Sequence, residues 1–286
     1  VAPSRGLGDV YKRQERLIIV PTIAAQDAPT SHSAVLYHAD GSFDDYAYFK
    51  QSPSVVLVDT KVIAKAPTRF LVAGMGDALS TYFEARATHN SYSRVNASLP
   101  MGSRERLTPP ASGTYAALAM AKLCWEHLQE DGLNAKIACD ADLVTEALNK
   151  IVETNILLSG LGFESGGLAA AHAIHNGMTV LEGTHHYLHG EKVAFATLAQ
   201  LVLEDADTAE VTAVMDFMAA IGLPLTLADL GVDSITFEEA LAVAKIASIP
   251  EESIHSMPFP IVEEEVANAI IVADRIGQAY KEKHHM

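Results

Sequence analysis

Cysteine is nearly absent. The 286 residues hold two, Cys124 and Cys139, with no spacing of the kind that grips a metal. That excludes a disulfide scaffold, and the two thiols, set on predicted helices beside apolar neighbours, read as reduced core residues of a cytoplasmic protein. Positive charge is scarce too: 20 Lys and Arg stand against 36 Asp and Glu, for a formal net charge of −16. Such a chain lacks the basic footprint that nucleic acid or an anionic membrane surface requires. It also disfavours strongly anionic substrates unless a local cluster of cations opposes the global field. No run approaches the roughly 18 consecutive apolar residues of a membrane span. Nor does any glycine-rich phosphate loop follow a strand. The near match, Gly6-Leu7-Gly8, lies in a leader with neither helical nor strand periodicity.

What is present is enough for a full hydrophobic core and two domains. Residues 1–14 read as a leader foreign to the fold. Residues 15–67 carry three short apolar runs, Leu17-Ile18-Ile19-Val20, Ser33 to Tyr37 and Ser54 to Asp59, separated by turn residues such as those from His38 to Ser42. Runs apolar on both faces predict strands covered on both sides, the edge of an α/β sheet. Three strands are few for a complete α/β domain, and the chain reads as truncated at its front.

From 68 to 286 the pattern is helical. The spacing predicts helices over Phe70–Arg86, from a Ser112 cap through Glu130 with Gly132 as stop, and from an Asp140 cap to about Ser159. A helix bearing His172, a second opening near His189, Thr208–Ile221 with Gly222 after it, one following the capping box at Thr236, and Glu263–Lys283 complete seven or eight. The one opening near His189 is apolar nearly all round and should be central. The segment from His89 to Ser112, rich in Ser, Pro and Arg, reads as an exposed loop.

Chemistry-bearing residues concentrate in one stretch. His172, His175, His185, His186 and His189 lie among Gly, Ala, Leu and Ile. Imidazoles in so apolar a setting need partners, either hydrogen bonds or a metal. His172 and His175 share a helix face, and His189 opens the next helix; the spacing fits both metal ligation and ordinary core and cap roles. Two aspartates could complete a metal site or a polar contact. Asp77 stands among small and apolar residues in a predicted helix, where it is either a ligand or the cap of a helix starting there. Asp27 precedes Ala28-Pro29, by default a turn.

Four segments carry a family resemblance: PTIAAQDAPTSHSAVLY (21–37), VVLVDTKVIAKAPTRFLVAGMGDALSTYFEARA (55–87), GFESGGLAAAHAIHNG (162–177) and HHYLHGEKVAFATLAQLVLE (185–204). In this order they resemble the bacterial glycerol dehydrogenases, the zinc-dependent branch of the iron-containing alcohol dehydrogenase superfamily. The likeness runs from about Leu17 to near the C-terminus, including Ile254-His255-Ser256-Met257-Pro258.

The resemblance implies a partial Rossmann-like α/β segment followed by an all-α, dehydroquinate synthase-like metal-binding domain. It implies NAD-dependent oxidation of glycerol and related vicinal diols to the ketone, dihydroxyacetone in the case of glycerol. The metal would be held by Asp77, His172 and His189, and those three would be catalytic through it. Iron-using relatives add a histidine four residues after the aspartate, where this chain has Thr81, so Zn2+ is expected over Fe2+. Asp27 would hold a substrate hydroxyl. Thr22, Ala25, Ser31 and Tyr37 match NAD-contacting positions, as does Ser33, where the family more often has leucine. His175 becomes a supporting or proton-relay residue. The expected partners are a small polyol and further copies of the chain in a homo-oligomer, with no nucleic acid and no membrane. Two alternatives stand beside this: a relative acting on a phosphorylated polyol, and an inactive metal-binding oligomeric fragment lacking the dinucleotide loop.

Overall fold

The computed structural model describes residues 16–37, 43–49, 51–92 and 113–286. The leader at 1–14, the turn at 38–42 and most of the predicted loop, residues 93–112, lie outside the described residues.

The first part is strand-poor. β1 (Ile18–Ile19) pairs in parallel with β4 (Val55–Val56), Ile18 opposite Val55. β2 (Ser33–Tyr37) and β3 (Phe43–Tyr48) form an antiparallel hairpin with a register shift between Leu36 and Tyr37. β3 was not among the three expected strands, because Asp44 and Asp45 break its apolar pattern. The expectation of strands covered on both faces is also corrected. Ile18 is 60% exposed and Leu57 58%, since the parallel pair is only two residues long and packs just Val56 and Val58 against the core.

A short helix, α1 (Thr60–Ile63), starts from Asp59, whose carboxylate accepts the Lys61 N–H. α2 follows at Thr68–Asn90 with Pro67 at its N-cap. α3 (Tyr115–Asp140) is capped by Thr114 rather than Ser112 and runs on through Gly132. A side chain at 132 would meet the Phe217 ring at 2.8 Å, so this glycine serves helix packing and does not end the helix. Asp140 closes α3 instead of opening the next helix. Thr145 caps α4 (Glu146–Glu153), which passes through a π-helical turn at Thr154–Leu158 into α5 (Ser159–Gly166). α6 (Ala170–Gly177) and α7 (His189–Leu203) carry the histidines. α8 (Thr208–Ile221) ends on Gly222 in the left-handed region, φ 84°, as the sequence predicts. α9 (Phe237–Ala247) opens with the Thr236/Glu239 capping box, and α10 is Glu263–His284. Among the described residues no helix is long and apolar enough to cross a membrane.

α2 and α7 form the centre, and each is buried over most of its length. α2 packs on α3, α5 and α7; α7 packs on α2, α6 and α10. The core holds Leu71, Met75, Leu79, Phe83, Phe195, Leu198 and Ile270. The two central helices cross at Gly76 and Gly190. A Cβ at 190 would collide with the Ala73 carbonyl, and one at 76 with the Gly190 carbonyl. Two glycines therefore let the backbones touch, and the next residue of α2 and the previous residue of α7 are Asp77 and His189.

Candidate metal centre

Asp77 lies in the interior of α2, not at its start, so it caps nothing. Its carboxyl oxygen Oδ1 is 3.2 Å from Nε2 of His189 and 3.5 Å from Nε2 of His172. The three donor atoms fall within 4.8 Å of one another. Asp77 is 2% exposed, and Oδ1 has no hydrogen-bond partner, while Oδ2 accepts the Asp27 N–H at 3.2 Å. An orphaned buried carboxyl oxygen facing two imidazole nitrogens is an acceptor in want of a cation. One carboxylate and two imidazoles form a donor set suited to zinc or non-haem iron. The residues present fit the group.

Burial alone would raise the pKa of Asp77, but the charge of His189 and the nearness of both imidazole rings prevail and hold it well below the usual carboxylate range. Burial would likewise lower His172; Glu84 and Asp77 outweigh it and hold this imidazole well above its ordinary value. His175 goes the other way: burial, then the charges of His189, Lys192 and His172, keep it well below.

Asp27 reaches the cluster from the segment between β1 and β2. Asn155 of the π-helical turn donates to the Ala24 carbonyl at 3.0 Å and the Leu71 carbonyl at 3.1 Å, tying that segment to α2. Gly74 makes the docking possible, since a Cβ there would overlap the Ala24 carbonyl. Ser159 donates to Asp27 Oδ2 at 2.6 Å, and the Ser159 hydroxyl meets the Thr81 hydroxyl at 3.0 Å. Burial first, and then the charge of Asp77, push the Asp27 acid well above its usual range against these bonds.

The other sequence-selected residues lie further out. Thr22 and Ala25 belong to the same 20–27 segment as Asp27, Thr22 exposed and Ala25 half-buried. Ser31 is buried, and its hydroxyl pairs with that of Ser33 at 2.8 Å. Tyr37 ends β2. His175 is fully buried, its ring edge-on to His189 with centroids 4.4 Å apart, and its Nε2 has no hydrogen-bond partner. His185 bonds the Thr179 carbonyl at 2.7 Å in the turn before α7. Sequence reasoning passed over Glu84, whose Oε2 is 2.6 Å from His172 Nδ1, and Ser159. An acid seven residues after Asp77 in an apolar helix was the available signal for Glu84.

No family model matches the sequence. The chain is 47% identical over 272 residues to a glycerol dehydrogenase of Citrobacter freundii, covering 94% of this chain and 71% of that protein. The crystal structure of glycerol dehydrogenase from Schizosaccharomyces pombe superposes with a TM-score of 0.89 at 39% identity, over 96% of this chain and 67% of that one. A more remote likeness is to an iron-containing alcohol dehydrogenase of Thermotoga maritima, with a TM-score of 0.62 at 17% identity, over 94% of this chain and 68% of that one; it concerns the fold alone. By its sequence along nearly its whole length, and by the way its helices pack, this chain belongs to the glycerol dehydrogenase family of oxidoreductases, built on the fold of the iron-containing alcohol dehydrogenases.

Proposed function

We propose that this protein oxidises glycerol and related vicinal diols to the ketone with NAD as acceptor, around a zinc ion held by Asp77, His172 and His189. The observation that carries the reading is the unpartnered Oδ1 of Asp77, buried between two imidazole nitrogens at 3.2 and 3.5 Å. Bound there, zinc supplies the Lewis acidity that makes an alcohol hydroxyl easy to deprotonate, and NAD supplies the hydride acceptor.

The chain's own residues do the rest. Asp27 is the partner of the neighbouring hydroxyl, which is why a diol is preferred over a simple alcohol: a site built around a polar group rejects substrates that leave it unpaired. Ser159 holds one oxygen of that carboxyl at 2.6 Å and fixes its direction, with Thr81 behind it. His175, edge-on against His189, supports that ring. Thr22, Ala25, Ser31, Ser33 and Tyr37 are the residues assigned to contact with NAD. A phosphorylated polyol would need a cluster of free cations at the site, whereas the two histidine-bearing helices carry only Lys192, and Arg69 is held by Glu191 at 2.7 Å and Arg86 by Glu204 and Glu210.

The test is the metal content of the purified chain together with NADH formation from glycerol and from its phosphate. Zinc near one per chain and turnover of glycerol alone are expected. Turnover of the phosphate instead would overturn the substrate assignment, and a chain that activates equally well after Asp77→Asn would overturn the metal assignment.

A further inference from the structure

The N-terminus of α6 presents four backbone N–H groups with no acceptor in their own helix, and Ala169, at the N-cap, has no side chain to supply one. Two other helices answer. Gln200 of α7 accepts from Ala170 N–H at 3.1 Å and Ala171 N–H at 2.9 Å through Oε1. Glu84 of α2 accepts from Ala169 N–H at 2.9 Å and His172 N–H at 3.0 Å through its own Oε1. Glu84 lies seven residues after Asp77, and Gln200 eleven after His189, so each sits on the same helix face as the candidate ligand of its helix. The helix that carries His172 is thus gripped at its start by the two helices that carry Asp77 and His189.

The two grips differ in charge. For Ala170 and Ala171 a neutral amide suffices, so capping alone does not call for an acid at position 84. Yet Glu84 is fully buried, and apart from His172 no cationic side chain pairs with it among the described residues. A buried carboxylate without such a partner is costly. What it has beyond the two amides is the imidazole: its Oε2 is 2.6 Å from Nδ1 of His172. That is the arrangement in which a carboxylate fixes the tautomer and ring orientation of a metal-bound histidine.

We propose that Glu84 is the positioning residue of the metal centre: it accepts the Nδ1–H of His172, turns Nε2 toward Asp77, and anchors α6 to α2 in the same contact. The inference rests on the metal reading above. It assigns to one side chain both the helix cap and the state of the ligand, whereas Gln200 has the cap alone.

Three forms separate the possibilities: the unmodified chain, Glu84→Gln, and Gln200→Met. Zinc affinity is read by competition with a chromophoric chelator, stability by denaturant midpoint, and the His172 ring proton by nitrogen-15-edited NMR. The unmodified chain should show a strongly downfield proton on Nδ1 of His172, with or without zinc. Glu84→Gln should move that signal upfield and weaken zinc binding by about 10- to 100-fold. Gln200→Met should lower the denaturation midpoint while leaving both the signal and the affinity in place. An Nδ1 without a proton in the unmodified chain would overturn the proposal, a result that needs no variant to fold. Equal losses of affinity in the two variants would overturn it as well, reducing Glu84 to a cap. Failure of the unmodified chain to bind zinc would instead strike the metal reading, and the Nδ1 signal would still decide whether Glu84 holds the ring.

Discussion

The helical body and the strand segment bury their apolar residues very differently. Within the body, α2 and α7 touch backbone to backbone and most side chains on them are enclosed, down to polar groups such as Ser80, Thr197 and Gln200. In the strand segment, Ile18, Val20, Val55 and Leu57 are exposed on or just beside a ladder two residues long. Precise placement of a ligand atom needs neighbours that cannot move, and only the first region provides them. Asp77, His172 and His189 all belong to it. Asp27 is the exception: it comes from the loose region and is made precise by bonds from Ser159 and by the docking of Ala24 under Asn155.

The contrast can be broken or sharpened by experiment. The largest effect belongs to Asp77→Asn, which should weaken zinc binding by more than the about 100-fold expected of a residue behind the ligands; chelator competition measures it. Gly190→Ala comes next. The added methyl must push α7 off the Ala73 carbonyl, so a loss of about 1–3 kcal/mol or more in a denaturant titration is expected, with weaker metal binding because His189 moves along. If Gly190→Ala were harmless, the close crossing would not be what holds the site.

Glu252 gives a pH signature of the enclosed region. It is 3% exposed, and burial raises its acid to about 7 against the Asn176 and Ser253 N–H donors. Because the folded value lies above the ordinary 4.5, the stability tied to its proton is fully present below about 4.5 and is lost as pH rises through about 7. Glu252→Gln should flatten the fall in denaturant midpoint across that window, read by titrations at several pH values. Ser159→Ala removes the 2.6 Å bond to Asp27 and should raise KM for glycerol by roughly tenfold, the equivalent of about one hydrogen bond, with zinc affinity unchanged. Smallest of all, Ile18→Thr on the exposed ladder should stay within about 0.5 kcal/mol of the parent in the same denaturant assay.

This division also marks what could be read beforehand. The caps at Thr236 and Gly222 and the apolar character of α7 are local chemistry, and the helices they delimit were legible. Gly132 was misjudged, because a glycine's use as a contact surface depends on Phe217, far away in sequence. β3 was invisible for a related reason: its acids Asp44 and Asp45 fit a hairpin and not an apolar run. The candidate ligands stood out as polar residues in apolar surroundings, and the family likeness ordered them. Glu84 and Ser159 did not stand out, since each matters only through a partner brought near by the packing of α2 against α5 and α6.

The π-helical turn at Thr154–Leu158 has a consequence for how this chain tolerates change in length. Such a turn is in effect an α-helix that has taken in one extra residue. The wide turn can therefore give up one residue by closing to α-helical spacing, keeping the Ser159 hydroxyl beside Asp27 and Gly160 against Thr30. The same deletion in the regular turns of α4 has no such slack and would rotate one side of the rod against the other by roughly 100°.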